Sequence, residues 1–535
     1  MITLFTTKYI LNSKYNMKIT IVSLGVTRKE YPFLFNWLYI TSPGIHYVTS
    51  ALAEKGFEVS IINKVDENLT DNDVIDRLHA LNPDMVLYNQ FHSSREEIKK
   101  ICSSLPAGAI RGIGGHDATF HSLSLSEQEF KEAYSHVDFV WQGECENGLA
   151  DFIKNFRRGL APVRINNMHN RVQDLDRLPV LKHDDYTGEI GFLATSRGCL
   201  SNGCDFCTTP GMYPDGWRAR SVSHIADEIR NIKRTGRCQV YVVDDNFLGN
   251  TEKDLERGLA VIRLCKNNGL KLYPMTSVQQ ILRADGLGYL SEFTGTVISV
   301  LIGVENGDPV ALRKLGKRVN IENYREQCIR AVDALHRHGV FPFIGYINFN
   351  PETTCDELEN SARFLYEDLG EAALFTYLYN KLGIFSGTKS FDRYMKGNKC
   401  SINSADYSYD FFDRETGIVA MLLDFVLDHI RIIDFLYYEA TILFYMNQLM
   451  GTPVWKKYID LKKTLNRQNY YFFINAVGIV RKNKPFTEMI AMIGDFKTKV
   501  KQSVAEFKLL IPQIVSQSNY ILREPLQYID MVDFG

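Results

Sequence analysis

From residue 18 the chain alternates short apolar runs with stretches of helical spacing. Residues 18–24 form an apolar run of strand length, 43–56 carry a helix stopped by Gly56, and 57–62 make a second strand. Residues 71–81 read as a helix opening at an acidic cap, 84–88 as a third strand and 96–105 as a third helix. Residues 109–113 are a strand leading into Gly114-Gly115-His116, and 137–141 a fifth strand ending at Gly143-Glu144. Strands that alternate with helices predict a doubly wound parallel sheet, Rossmann-like, over residues 18–160. Ligands of such sheets sit beyond the carboxyl ends of the strands.

The alternation returns over residues 187–395. A strand at 191–195 precedes a helix at 221–234 capped by Ser221 or Ser223, and a strand at 239–243 ends in Asp244-Asp245-Asn246-Phe247. A helix follows at 253–268. Strands are expected at 296–302, ending in Gly303-Val304-Glu305, and at 341–348 and 373–380. Repeated strand–helix units predict a partial (β/α) barrel with its chemistry at the strand C-termini. From 396 to 535 glycine becomes scarce and apolar-periodic segments dominate (419–450, 455–465, 472–480 and 496–515), which predicts a helical C-terminal domain. Its aromatics, Tyr407, Tyr409, Phe411, Phe412, Tyr437, Tyr438, Tyr470 and Tyr471, either pack a core or wall a substrate pocket.

Composition narrows the class. A chain of 535 residues holds two or three domains, and 45% hydrophobic with 23% charged residues is ordinary for a globular protein. The net charge of −2 gives no basic surface for nucleic acid. The apolar stretch 418–450 contains Asp424, Asp428, Arg431, Asp434 and Glu439, which argues against a membrane span. The first 17 residues carry lysines and no continuous apolar core, so no signal peptide is expected. Ten cysteines are too sparse for a disulfide scaffold and suit the reducing cytoplasm.

Three of those cysteines carry candidate chemistry. Cys199, Cys204 and Cys207 lie within nine residues. Three thiolates can hold three corners of a 4Fe–4S cubane and leave the fourth iron open to a second molecule. Gly198 and Gly203 let the backbone curl around such a cluster, and Phe206 offers it an apolar face. A structural zinc site wants four ligands, and the next candidates, His224 and Cys238, stand well downstream.

The cysteine run resembles the cluster loop of the radical S-adenosylmethionine (SAM) enzymes, written C-x3-C-x2-C, here with four residues in the first gap. The order of segments over 187–395 resembles the rest of that family's core. Residues 18–160 resemble the cobalamin-binding domain that precedes many such cores, through Pro43-Gly44, Gly56-Phe57-Glu58-Val59, Pro83-Asp84-Met85-Val86, Gly114-Gly115-His116-Asp117-Ala118-Thr119 and Gly143-Glu144-Cys145-Glu146.

The resemblance implies a 4Fe–4S cluster on the three cysteines and SAM on its open iron. It places Asp244 or Asp245 at the methionyl ammonium, Glu305 near the ribose and amino acid, and Arg220 at the SAM carboxylate. For Arg218 and Arg220 a solvated role is the alternative, and for the aspartates capping of the next turn. Gly114, Gly115 and His116 would meet a corrin or phosphate edge, or His116 is satisfied within its loop. The Asp-x-His-x-x-Gly motif that supplies a cobalt ligand elsewhere is absent from this sequence, so a bound cobalamin is expected to have no protein imidazole below it.

The function implied is that of a cobalamin-dependent methyltransferase. SAM is cleaved to a 5′-deoxyadenosyl radical, and a methyl group goes from methylcobalamin to an unactivated carbon of a small molecule or peptide. An electron donor such as flavodoxin or ferredoxin is expected, with no nucleic-acid or membrane partner. The alternatives are a cobalamin-dependent rearrangement or cyclisation, a radical SAM enzyme that has lost cobalamin, and a non-catalytic corrinoid or electron-transfer protein. Methylthiotransferases need a second cysteine trio upstream, where only Cys102 and Cys145 stand.

Overall fold

The computed structural model describes residues 8–9, 15, 17–24, 43–105, 108–181, 190–199, 203–395 and 409–517. Seven strands make the N-terminal sheet: β1 (Lys8–Tyr9), β2 (Lys18–Ser23), β3 (Glu58–Asn63), β4 (Met85–Asn89), β5 (Ile110–Gly114), β6 (Phe139–Gln142) and β7 (Val163–Asn166). Their order is β1-β3-β2-β4-β5-β6-β7, parallel except for the short edge strand β1. Alternate residues supply two separate cores. Val22, Ile62, Val86 and Val140 face one layer of helices, and Ile21, Val59, Leu87 and Trp141 the other. Burial on both faces is what makes these strands continuous apolar runs. The exception, β7, is half-exposed and reads Val-Arg-Ile-Asn, so the hydrophobic pattern does not reveal it.

The second unit is built from β8 (Gly191–Leu193), β9 (Ser196–Arg197), β10 (Arg218–Ala219), β11 (Gln239–Val242), β12 (Lys271–Tyr273), β13 (Met275–Thr276), β14 (Ser299–Glu305) and β15 (Phe341–Tyr346). Strands β8, β11 and β12 pair in parallel, as do β13, β14 and β15, and a bridge from Leu272 to Val297 joins the two sets. This is the expected partial barrel. The antiparallel pair β9–β10 closes the neck of the loop that carries the cysteines.

Residues 373–380, expected as a strand, form a tight helical turn at Phe375–Tyr379 instead. The carboxylate of Asp434 accepts from both Phe375 N and Thr376 N, at 2.6 Å each, and so takes donors a strand would have offered a neighbour. The C-terminal helices run over Arg414–Met446, Pro453–Arg481 and Phe486–Ser516. The segments expected at 455–465 and 472–480 are one helix, because the polar residues between them include no breaker. These helices share one core with the barrel, in which Val300, Ile302 and Phe341 join Tyr437, Tyr438 and Phe473. No helix among the described residues is long and apolar enough to cross a membrane.

Candidate functional site

Strand order in the N-terminal sheet reverses between β2 and β4, and crevices at such switch points bind ligands. A cavity of about 900 Å³ lies there. Its floor is the strand ends, with Ser23, Asn89, Gly114, Gly115 and Gly143. Its roof is the barrel mouth, with Ser196, Arg197, Thr208, Tyr213 and Asp245. Gly115 has φ +108°, and a Cβ there would come 2.5 Å from Asn89 Oδ1, so only glycine keeps this floor open. His116 opens the helix His116–Ser124 and presents its ring to the cavity, edge-on to Tyr213 at 6.2 Å. Enclosure by the surrounding protein holds its imidazole below the usual histidine range. The aromatics of the C-terminal segment do not line this cavity. Tyr437 and Tyr438 are core and Tyr471 is half-exposed, while Tyr407 lies outside the described residues.

The cysteine loop leaves β9 at Gly198, where φ is +91° and a Cβ would sit 2.4 Å from Gly216 O. Cys199, Cys204 and Cys207 are half-buried and in no disulfide, and Cys207 N donates to Cys204 O at 3.1 Å in a tight turn. No three His, Cys, Asp or Glu side chains among the described residues converge on one point, as ligands of a single ion would. Thiolates that each hold a different iron of a cluster have no such requirement. Three thiols on one segment, with no fourth ligand gathered to them among the described residues, therefore fit a cluster better than zinc.

The two aspartates after β11 do different work. Asp244 is fully buried and accepts from Thr195 N at 2.6 Å and Ser196 Oγ at 2.7 Å, with Thr195 Oγ1 as a third donor. Asp245 accepts from Gly198 N at 3.0 Å and Thr209 Oγ1 at 2.9 Å, so it staples both ends of the cysteine loop while facing the cavity. Glu305 ends β14 with φ +67°, a costly conformation for a residue with a side chain, and pairs with Lys317 Nζ at 3.0 Å.

The expectation for the two arginines is corrected. Arg220 is not free for a ligand, nor solvated. It is wholly buried, pairs with Glu228 at 2.8 Å, and donates to Ala194 O at 2.7 Å and Tyr47 Oη at 3.1 Å. Arg218 is also committed, to Glu144 at 2.6 Å. Phe206, directly before Cys207, packs beside Leu315, Leu382 and Tyr394.

Sequence reasoning missed the ion-pair lattice that spans the cavity rim. Arg197 reaches Glu144 at 3.1 Å and Glu146 at 2.5 Å, and these glutamates follow β6 of the other unit. The Gly143-Glu144-Cys145-Glu146 motif marked the place, but its partner 51 residues away carries no sequence signal. Phe120 was missed as well. Its ring fills a socket between Gly211 and Gly387, where added Cβ atoms would come within 2.9 and 2.2 Å of it.

These parts define a protein in which a doubly wound sheet and a partial barrel close on one cavity, with a three-thiol loop on the barrel's rim. Residues 193–365 match the radical SAM superfamily, and the chain carries a radical SAM domain there. It is 24% identical over 346 residues to an uncharacterized methyltransferase of Pyrococcus horikoshii, covering 60% of this chain and 72% of that one. It is 22% identical over 411 residues to the hopanoid C-2 methylase of Rhodopseudomonas palustris, covering 75% and 73%. In structure it is similar to the cobalamin-dependent radical SAM enzyme OxsB, solved with aqua-cobalamin and SAM, with a TM-score of 0.67 over 96% of this chain and 83% of that one at 15% identity. The last likeness establishes the common fold.

Proposed function

We propose that this protein is a cobalamin-dependent radical SAM methyltransferase acting on a small molecule. The observation that carries the reading is the cavity itself, which joins the glycine-floored switch point of one unit to the cysteine loop of the other. When bound, the cluster supplies an electron to the sulfonium of SAM and the corrin carries a methyl group. The residues orient and enclose these groups. Cys199, Cys204 and Cys207 hold the cluster. Asp245, facing the cavity with one oxygen on each end of the loop, is the carboxylate placed for the methionyl ammonium, whereas the donors around Asp244 already occupy it. Glu305, at its bulged strand end, is held by Lys317 and is the second carboxylate assigned to SAM. Gly114 and Gly115 leave room for a planar macrocycle, and His116 sits at its edge.

Anaerobic reconstitution with iron, sulfide and hydroxocobalamin tests the reading. Methionine and 5′-deoxyadenosine should form from SAM, and label from methyl-labelled SAM should appear on the corrin and then on substrate. Changing any one of the three cysteines to Ala should abolish SAM cleavage. A fully loaded protein that leaves SAM intact would refute the proposal, while cleavage without methyl transfer would move it to a rearrangement or cyclisation.

A further inference from the structure

We infer that a small acidic electron-carrier protein docks on the basic face over the Cys204–Cys207 turn, where Arg318, Lys389 and Arg393 surround Asp205. The inference rests on the cluster reading above and locates a partner for it. Cleaving a sulfonium to a thioether and a carbon radical breaks one C–S bond and takes up one electron. That electron leaves the flavin or iron centre of the carrier, which is oxidised by one electron, and enters through the cluster.

The cysteine loop has two faces. One, with Thr208 and Asp245, looks into the cavity. The other carries Asp205, which does not line the cavity. Arg393 pairs with Asp205 at 2.6 Å, Lys389 lies at 3.5 Å and Arg318 at 3.9 Å. One carboxylate thus faces three cations, and the side chains of Lys389 and Arg318 remain 58% and 56% exposed.

These cations sit against the loop backbone. Arg318 Nε donates to Gly203 O at 3.4 Å, and Lys389 Nζ would lie 3.5 Å from a Cβ on Gly203, the residue before Cys204. The support is firm. Ser390 N donates to Asp205 O at 2.9 Å, and Arg393 also bonds Lys314 O. Other charges nearby are Lys317, neutralised by Glu305, Lys314, neutralised by Glu357, and Asp392, exposed on the same short helix. The exposed cations are therefore held next to Cys204 and do not line the cavity. An acidic carrier would be steered to this face, and steering of this kind speeds encounter and fades with salt.

The test is stopped-flow reduction of the reconstituted cluster, followed by its loss of visible absorbance. Reduced flavodoxin is compared with dithionite, using the wild type and a Lys389→Glu/Arg318→Glu variant. Both side chains are exposed, so thermal melting should be little changed, and a Lys389→Gln/Arg318→Gln variant gives an intermediate case. The expected result is a flavodoxin rate in wild type that falls steeply with ionic strength. The rate should drop about tenfold in the charge-reversed variant, with the dithionite rate the same in both. Equal flavodoxin rates in wild type and variant overturn the docking site, as does a wild type that dithionite reduces and flavodoxin does not. If dithionite gives no reduced-cluster signal in wild type, the cluster reading itself fails and takes the inference with it.

Discussion

At a strand end, neighbouring side chains point to opposite sides, and that geometry separates Asp244 from Asp245. The sequence placed two carboxylates after β11 but could not tell which faced inward, because the distinction depends on Thr195 and Ser196, some 48 residues earlier. Arg220 was unreadable for the same reason, since Tyr47 and Glu228 meet it only in the fold. The cysteines, by contrast, were legible because one short segment carries them all. Asp245→Asn should fold normally and weaken SAM binding by about 1.5–3 kcal/mol, the cost of a hydrogen bond to a charged group. Asp244→Ala leaves buried donors on Thr195 and Ser196 without a partner and should instead lower stability, by about 1–3 kcal/mol for each donor stranded. Isothermal titration with SAM and thermal melting of both variants separate the two roles; equal losses of affinity without loss of stability would contradict the assignment.

Elements show where local pattern was enough and where it was not. The helices at 71–81 and 221–234 carry their own start signals, with Thr70 bonded to Asp73 N and Ser221 to His224 N, and they form where expected. The turn at Phe375–Tyr379 does not, because its donors are claimed by Asp434 on a distant helix. Burial pushes that carboxyl up from 3.8 to about 6. A raised carboxyl binds its proton more tightly in the folded chain, so its stabilising effect is complete below about pH 4 and is lost as pH rises to about 6. The difference in unfolding free energy between wild type and Asp434→Asn should therefore shrink across that interval, as denaturant titrations at pH 4, 5 and 6 would show. A constant difference would argue that the carboxyl titrates normally. The helix His116–Ser124 offers a second case, with Phe120 one turn beyond His116 and seated on Gly387. At Gly387 φ is +84°, so Gly387→Ala meets both backbone strain and the Phe120 ring, and should cost about 1–3 kcal/mol. Phe120→Ala should recover part of that loss in a double-mutant cycle, since only the clash depends on the ring.

Across the whole molecule, both units and their order along the chain could be read from periodicity, because each buries its own parallel strands. How they face each other could not, since the residues that meet there, apolar ones such as Tyr47 with Phe192 and Phe120 with Gly387 as well as polar ones, are far apart in sequence. Two polar clusters stand at the junction among the described residues. In one, Tyr47 of the N-terminal unit donates to Glu228 of the barrel at 3.0 Å, beside Arg220. In the other, Arg197 spans to Glu144 and Glu146, while Arg218 shares Glu144. The second cluster matters more for function, because Arg197 lies two residues before Cys199 and both its partners follow the cavity's β6 edge. It ties the position of the cysteine loop directly to the floor on which a corrin would rest. Arg197→Met keeps much of the side chain's packing but strands Glu146, whose side chain is only 6% exposed, and breaking a buried pair in this way typically costs about 3–5 kcal/mol. Arg197→Lys keeps the charge but cannot reach two carboxylates at once, so it should fall between the two. Hydrogen–deuterium exchange reads the effect by place. In Arg197→Met, exchange should rise together over residues 143–149 and 203–213, on opposite sides of the cavity, and stay unchanged in the C-terminal helix 453–481. A rise confined to one side would mean that Arg197 does not couple the two units and that the other contacts between them hold the register.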